Sequence, residues 1–262
     1  MAAGHVYFIS GIDTGVGKTV VTGLMARWLH ASGRDVITVK MVQTGNTGFS
    51  EDLDAHRELA EMSRFPEDDL GLTAPQIFAF PSSPELAARL EGRTVDLEKI
   101  AHAVATCAAA HEVVLVEGAG GLAVPLTAET LAVDFAAEQG WPLILVASGR
   151  LGSINHIILS LEAAKARGMF VAGVVYNWSP DADPTIDADT PAVTRRALER
   201  LGFPPVLIKV SKQVRPVLTD DTDFAPLFTQ GRGQWWTTSL HSTARTSGIR
   251  MPRWRTRRLC GL

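Results

Sequence analysis

At 262 residues, 46% hydrophobic and 20% charged, the chain lies in the ordinary globular range and holds enough apolar residues for one filled α/β core or two small domains. Its two cysteines, Cys107 and Cys260, exclude a disulfide framework or a cysteine metal site; no apolar run nears the roughly 18–20 residues of a membrane span, and no secretory signal opens the chain, so a reduced, cytoplasmic protein is expected. The net charge of −3 is segregated: from Arg232 onward there are seven Arg and no Lys, Asp or Glu, leaving 18 basic against 28 acidic side chains in residues 1–231, a net −10 that speaks against nucleic-acid binding.

The first element is the apolar run Val6 to Ile9, read as a strand, which leads into Ser10-Gly-Ile-Asp-Thr-Gly-Val-Gly-Lys-Thr19 and then a helical stretch from Val20 to Ala31. Strand, glycine-rich turn and helix start are the setting a phosphate loop requires. Turn amides and the helix N-terminus converge on phosphate oxygens, Lys18 supplies a cation to the β- and γ-phosphates, and the Thr19 hydroxyl suits Mg²⁺. Five residues separate Gly11 from Gly17, one more than the common pattern, so the loop is a lengthened variant for ATP or GTP.

A second strand, Val36 to Val39, ends on Lys40, and a helix over Asp54 to Met62 follows; Asp52 and Asp54 at its start read as capping and dipole-compensating residues. After a helix at Leu97 to Ala110, the strand Val113 to Val116 ends on Glu117, where a nucleotide-hydrolysing enzyme places a Mg²⁺-holding acid. Gly118 to Ala123 also fits a dinucleotide fingerprint, but Pro125 follows too soon for the helix that fingerprint opens. Strands at Leu143 to Val146 and Val171 to Tyr176 complete an alternation of short, continuously apolar strands with helices. That pattern predicts a doubly wound α/β fold, a mostly parallel sheet with helices on both faces and its site at the carboxyl ends of the strands. Between these strands, Leu151 to Asn155 sits at a loop-to-helix transition, a plain helix start or an anion site built from amides. The seven histidines show no metal-ligand spacing and read as ordinary surface or core residues.

Four ordered segments together resemble the dethiobiotin synthetase family: Gly11 to Thr19, Val39-Lys-Met-Val-Gln-Thr-Gly45 with Met41 in place of the family's proline, Val116-Glu-Gly-Ala-Gly-Gly121, and Leu151-Gly-Ser-Ile-Asn-His156. Composition points to a basic, disordered tail at 231–262; the resemblance covers roughly residues 5–178 and implies a P-loop NTPase-like fold over 1–230. It implies ATP as substrate, Mg²⁺ as cofactor, a homodimer, and no nucleic-acid or membrane partner.

The activity it implies is ring closure of 7,8-diaminopelargonate with CO₂. For the residues, it implies that Lys18, Lys40 and Thr14 are catalytic. ATP would lie against Gly15, Val16, Gly17, Lys18, Thr19, Val20, Asp54, Glu117, Gly118, Ala119, Gly120 and Asn177, the last reading adenine. Thr19, Asp54 and Glu117 would hold the metal. The second substrate would meet Thr14, Lys40 and Thr44, with Leu151, Gly152, Ser153 and Asn155 of a neighbouring subunit receiving its carboxylate. Met41 for proline should loosen its turn slightly.

Two other classes share the sheet. A nucleotide switch of the plasmid-partitioning or division-positioning kind has a signature lysine where Asp13 stands here, and a cobyrinate-type amidoligase needs an appended glutaminase domain for which the chain lacks length. The tail, with Trp235, Trp236 and Trp254 among its arginines, lies outside the resemblance.

Overall fold

The computed structural model describes residues 4–178, 182–211 and 222–229; the tail at 231–262 and Lys212 and Gln213 of the segment compared with the family's adenine-flanking region fall outside them. In chain order the elements are β1 (His5–Gly11), α1 (Lys18–Ala31), β2 (Val36–Lys40), β3 (Gln43–Thr44), α2 (Glu51–Ala60), α3 (Pro66–Asp69), β4 (Ile77–Phe78), α4 (Pro84–Leu90) and α5 (Leu97–Ala110). Then follow β5 (Val113–Gly121), α6 (Ala132–Glu138), β6 (Leu143–Ser148), α7 (Ser153–Ala166), β7 (Val171–Asn177), α8 (Pro184–Leu201), β8 (Leu207–Val210) and α9 (Ala225–Thr229).

Six strands form one sheet in the order β2-β5-β1-β6-β7-β8, every neighbouring pair parallel. The five strands expected from apolar runs are all present. Their continuous apolar character follows from burial on both faces: Phe8 and Ile9, Val114 to Val116, Leu143 to Ala147 and Val174 to Val175 are sealed from solvent. Each such side chain contributes roughly 1.5–3 kcal/mol by leaving water, so these runs fix the sheet before any loop is considered. β8 and the small β3-β4 pair were not legible as strands, being two to four residues long.

The chain leaves β1 to one side for β2 and β5 and returns to the other for β6, so β1 and its neighbours mark the switch point where a crevice opens at the strands' carboxyl ends. Beyond Glu117 the strand β5 runs on to Gly121, and no helix begins before Ala132. The dinucleotide reading of Gly118 to Ala123 therefore fails on geometry, as Pro125 suggested. Among the described residues no helix is long and apolar enough to cross a membrane.

Candidate active site

Helices α1 and α7 begin differently from four of the others. Helices α2, α4, α5 and α8 are capped by the side chains of Ser50, Ser83, Asp96 and Asp183. By contrast α1 and α7 start at Gly17 and Gly152, both left-handed (φ 87° and 92°), with no side-chain cap and no acid in the first turn. At α1 the first amides are left for an external acceptor, which is the arrangement an anion needs, whereas at α7 the Ser153 amide donates to Arg150 O at 3.0 Å. At Gly17 a side chain is excluded twice over: the backbone conformation disfavours it, and a Cβ would lie 2.0 Å from Asn177 Nδ2. That amide instead donates to Val16 O at 3.1 Å, joining the end of β7 to the phosphate loop.

A cleft of about 350 Å³ opens over this loop. It is lined by Thr14, Gly15, Gly17, Lys18, Thr19, Lys40, Thr44, Glu117, Ala119 and Gly120 from the residues singled out in the sequence, together with Val42, Gln43 and Asp52. Val16 lies buried in the loop, and Gly118 sits behind the cleft, its carbonyl accepting from Lys40 Nζ at 3.3 Å. Val20, in the first turn of α1, and Asn177 are outside the lining, as is the whole segment Leu151, Gly152, Ser153 and Asn155. Leu151 is 88% exposed, Gly152 and Asn155 are exposed, and Ser153 is buried.

The floor of the cleft is an ion cluster. Glu117 Oε1 is 2.7 Å from Lys40 Nζ and 3.2 Å from Thr19 Oγ1, and Thr19 Oγ1 donates to Asp52 Oδ1 at 2.8 Å. Asp52 Oδ2 completes the pair with Lys40 at 2.5 Å. Burial alone would raise the Glu117 carboxyl, but the Lys40 cation and the His56 ring outweigh it and hold the group well below the usual carboxylate range. For Lys40 the balance runs the other way: burial lowers the ammonium, and Glu117 and Asp52 lift it above its ordinary value. Lys18, buried and donating to Asp13 O at 3.2 Å, is lowered to about 8 chiefly by desolvation. Two carboxylates, a hydroxyl and two ammonium groups thus meet at the mouth of a phosphate-loop helix. The hard oxygen donors could hold a divalent cation alongside phosphates, since Mg²⁺ is ordinarily bound through one or two carboxylates plus substrate phosphates.

Three relatives can be set beside this geometry. An ATP-dependent dethiobiotin synthetase of Chlorobaculum tepidum is 48% identical over 200 residues, 76% of this chain and 84% of that protein. Those of Pasteurella multocida and Haemophilus influenzae are 45% and 47% identical, over 74% and 69% of this chain and 92% and 94% of theirs. A family profile described as an AAA domain matches residues 5–215. The chain belongs to the dethiobiotin synthetase family. Among solved structures, FtsY of Thermotoga maritima aligns at 16% identity and a TM-score of 0.48, covering 80% of this chain and 62% of that one; the fold assignment rests on the chain's own topology.

One residue carried over by resemblance lies away from the cleft. The acid that α2 brings to the site is Asp52, not Asp54: Asp54 lies two positions on, about 200° around a helix of 3.6 residues per turn. Its side chain is 58% exposed and faces Arg64 at 3.6 Å. The rotation of α2 is fixed at both ends. Ser50 Oγ accepts from Leu53 N and donates to Gln43 Oε1, and Gly23 of α1 lets Leu59 approach so closely that a Cβ there would lie 2.6 Å from it.

Nor does Met41 loosen its turn. Its amide donates to Glu117 O at 2.9 Å, a ladder bond that a proline could not make, so this family member ties the Lys40 strand end more firmly to β5. Two further participants were not foreseen. His56 is wholly buried with Nε2 2.7 Å from Glu117 Oε2, and Arg150 approaches Asp13 Oδ2 at 3.3 Å, linking the phosphate loop to the loop before α7.

Proposed function

We propose that the chain closes the ureido ring of dethiobiotin from 7,8-diaminopelargonate, CO₂ and ATP, the reaction for which its named relatives are called synthetases. One amine takes up CO₂ as a carbamate; a carbamate oxygen attacks the γ-phosphorus and ADP leaves; the second amine attacks the carbamic-phosphoric anhydride and phosphate leaves as the ring closes. The observation that carries this reading is the meeting of Lys18, Lys40 and the Asp52–Glu117 pair with Thr14 and Thr44 in one cleft above the phosphate loop. Both the carbamate and the transferring phosphoryl group are anionic, and cations already in position lower the energy of bringing them together.

In this reading the amides of Gly15 to Val20, with Gly118 to Gly120, cradle the triphosphate and Lys18 neutralises its β/γ end. Lys40 faces the carbamate, and Thr14 and Thr44 orient the diamine. Thr19, Asp52 and Glu117 would hold Mg²⁺, which would supply positive charge beside the phosphates. Asn177 stands at the loop's edge where its amide meets the base. The start of α7 around Gly152 to Asn155, presented by a second subunit, donates to the substrate's distal carboxylate, which makes the active unit a homodimer. No nucleophilic side chain is needed.

Incubating the purified chain with diaminopelargonate, bicarbonate and MgATP tests the reading. One dethiobiotin per ADP is expected by mass spectrometry, and ATP consumption without dethiobiotin would overturn it.

A further inference from the structure

The two oxygens of Glu117 face in different directions. Oε1 looks into the cleft toward Lys40 and Thr19, whereas Oε2 is taken by His56 Nε2 at 2.7 Å. An ionised carboxylate only accepts, so Nε2 carries the proton and donates. Behind the ring, Nδ1 lies 3.2 Å from Thr38 Oγ1, which accepts from Arg57 Nη1 at 2.6 Å. Arg57 is in turn locked by two bonds to Asp68, Nε to Oδ2 at 3.0 Å and Nη2 to Oδ1 at 2.7 Å. Glu117 and His56 are 0% exposed, and Thr38 and Arg57 are buried with them. Turning the ring would strand several buried donors and acceptors at once, so the imidazole is fixed in place.

We infer that His56 sets the metal preference of the site by reserving Oε2 of Glu117, so that the glutamate presents only Oε1 to a divalent cation. This rests on the MgATP reading above and adds a specificity role for a residue that does not line the cleft. Mg²⁺ demands near-octahedral geometry at about 2.0–2.1 Å and takes carboxylates through single oxygens, while Ca²⁺ accepts 6–8 oxygens and commonly both of one carboxylate. A glutamate pinned to one oxygen satisfies the first ion and leaves the second short of a ligand. Partners behind a metal ligand commonly change affinity about tenfold to a hundredfold, so the effect is large enough to measure. A histidine that merely filled space would need no proton aimed at Oε2, nor a chain of bonds from Thr38 through Arg57 to Asp68 behind its ring.

The test compares His56→Gln with His56→Asn in the full chain. Both carry amides of similar polarity, but only glutamine extends far enough for its amide nitrogen to replace Nε2 against Glu117. Binding of a non-hydrolysable ATP analogue is measured by titration calorimetry in Mg²⁺ and in Ca²⁺, without diaminopelargonate, and thermal melts are recorded for each chain. The wild type and His56→Gln are expected to prefer Mg²⁺ over Ca²⁺ by the same ratio, and His56→Asn to lose about tenfold of it. Equal ratios in the two variants, whether both kept or both lost, overturn the inference. If His56→Asn does not fold, Thr38→Val, which removes the hydroxyl behind the ring, is expected to lower the ratio about threefold, and an unchanged ratio there overturns it as well. A wild type whose nucleotide binding ignores divalent cations would instead indict the MgATP reading itself.

Discussion

The two ends of the crevice are built on different principles. Around β2, β5 and α2, the buried charged groups have partners of their own chain: Lys40 lies between Asp52 and Glu117, Glu117 between Lys40 and His56, Arg57 against Asp68. Around the β6–α7 turn, by contrast, Gly152 starts a helix with no cap, Asn155 and Leu151 face solvent, and Arg150 and Asp13 form only a half-exposed pair. The closed end has its geometry dictated by buried charges that cannot move independently, while the open end has only half-exposed pairs to Asp13 and side chains that face solvent. Closed, preorganised charge suits chemistry on phosphoryl oxygens; an open set of donors suits recognition of a group brought from outside.

If the closed end is a single interlocked unit, its central carboxylate should be the most sensitive position in the molecule. Glu117→Gln leaves Lys40 and His56 facing an amide, and breaking a buried ion pair of this kind costs about 3–5 kcal/mol of stability, read as a lower melting temperature together with loss of turnover. Lys40→Met breaks the same buried pair from its other side and also tests chemistry. Turnover is expected to fall about 10²–10³-fold, and ATP affinity by far less than in Lys18→Met, because only Lys18 lies against the phosphate loop itself. Equal loss of ATP affinity in both variants would break the division of labour between the two cations.

The reach of the network away from the cleft is open to a pH experiment. Burial would raise the Asp68 carboxyl, but hydrogen bonds from Arg57, the Phe65 amide and the Thr73 hydroxyl lower it overall. A carboxyl depressed on folding stabilises the protein above its unfolded pKa, about 3.9 for aspartate, and that stability is lost as pH falls through the folded value. Asp68→Asn is therefore expected to cost about 3 kcal/mol near neutrality, with the gap from wild type shrinking below about pH 4 in pH-dependent denaturant melts. A gap that persists unchanged in acid would mean the pair is not what holds Arg57.

What the sequence revealed divides along the same line. The strands, the phosphate loop and Glu117 were legible because each is written locally, in four to six continuous apolar residues or in glycines at fixed offsets. The choice between Asp52 and Asp54 was not, because two acids near a helix start look alike until the helix is rotated, and that rotation depends on Ser50, Gln43 and the Gly23–Leu59 contact. His56 was invisible for a related reason: its partners Thr38 and Glu117 stand 18 and 61 positions away. A combined pattern did carry the signal. Asp52 and His56 share a helix face at a spacing of four, and Thr38 and Lys40 share a strand face at a spacing of two. Asp52→Asn is accordingly expected to weaken divalent-dependent ATP-analogue binding about tenfold to a hundredfold, as loss of a metal-site group does, whereas the exposed Asp54→Asn should leave it within about twofold.

The smallest effect on folding belongs to the open end, and it bears most directly on the comparison. Asn155 lies in the first turn of α7 with its side chain in solvent, so Asn155→Ala removes no buried contact and should leave stability within about 0.5 kcal/mol of wild type. ATP affinity should be equally untouched, since Asn155 stands outside the cleft above the phosphate loop. If the uncapped turn receives the substrate's carboxylate, the KM for diaminopelargonate should still rise several-fold at nearly constant kcat, the signature of lost binding that is equal in ground and transition states. A fall in kcat with KM unchanged would place the turn in the chemistry, and the two ends of the crevice would then be one site rather than a fixed reaction centre with an open receptor.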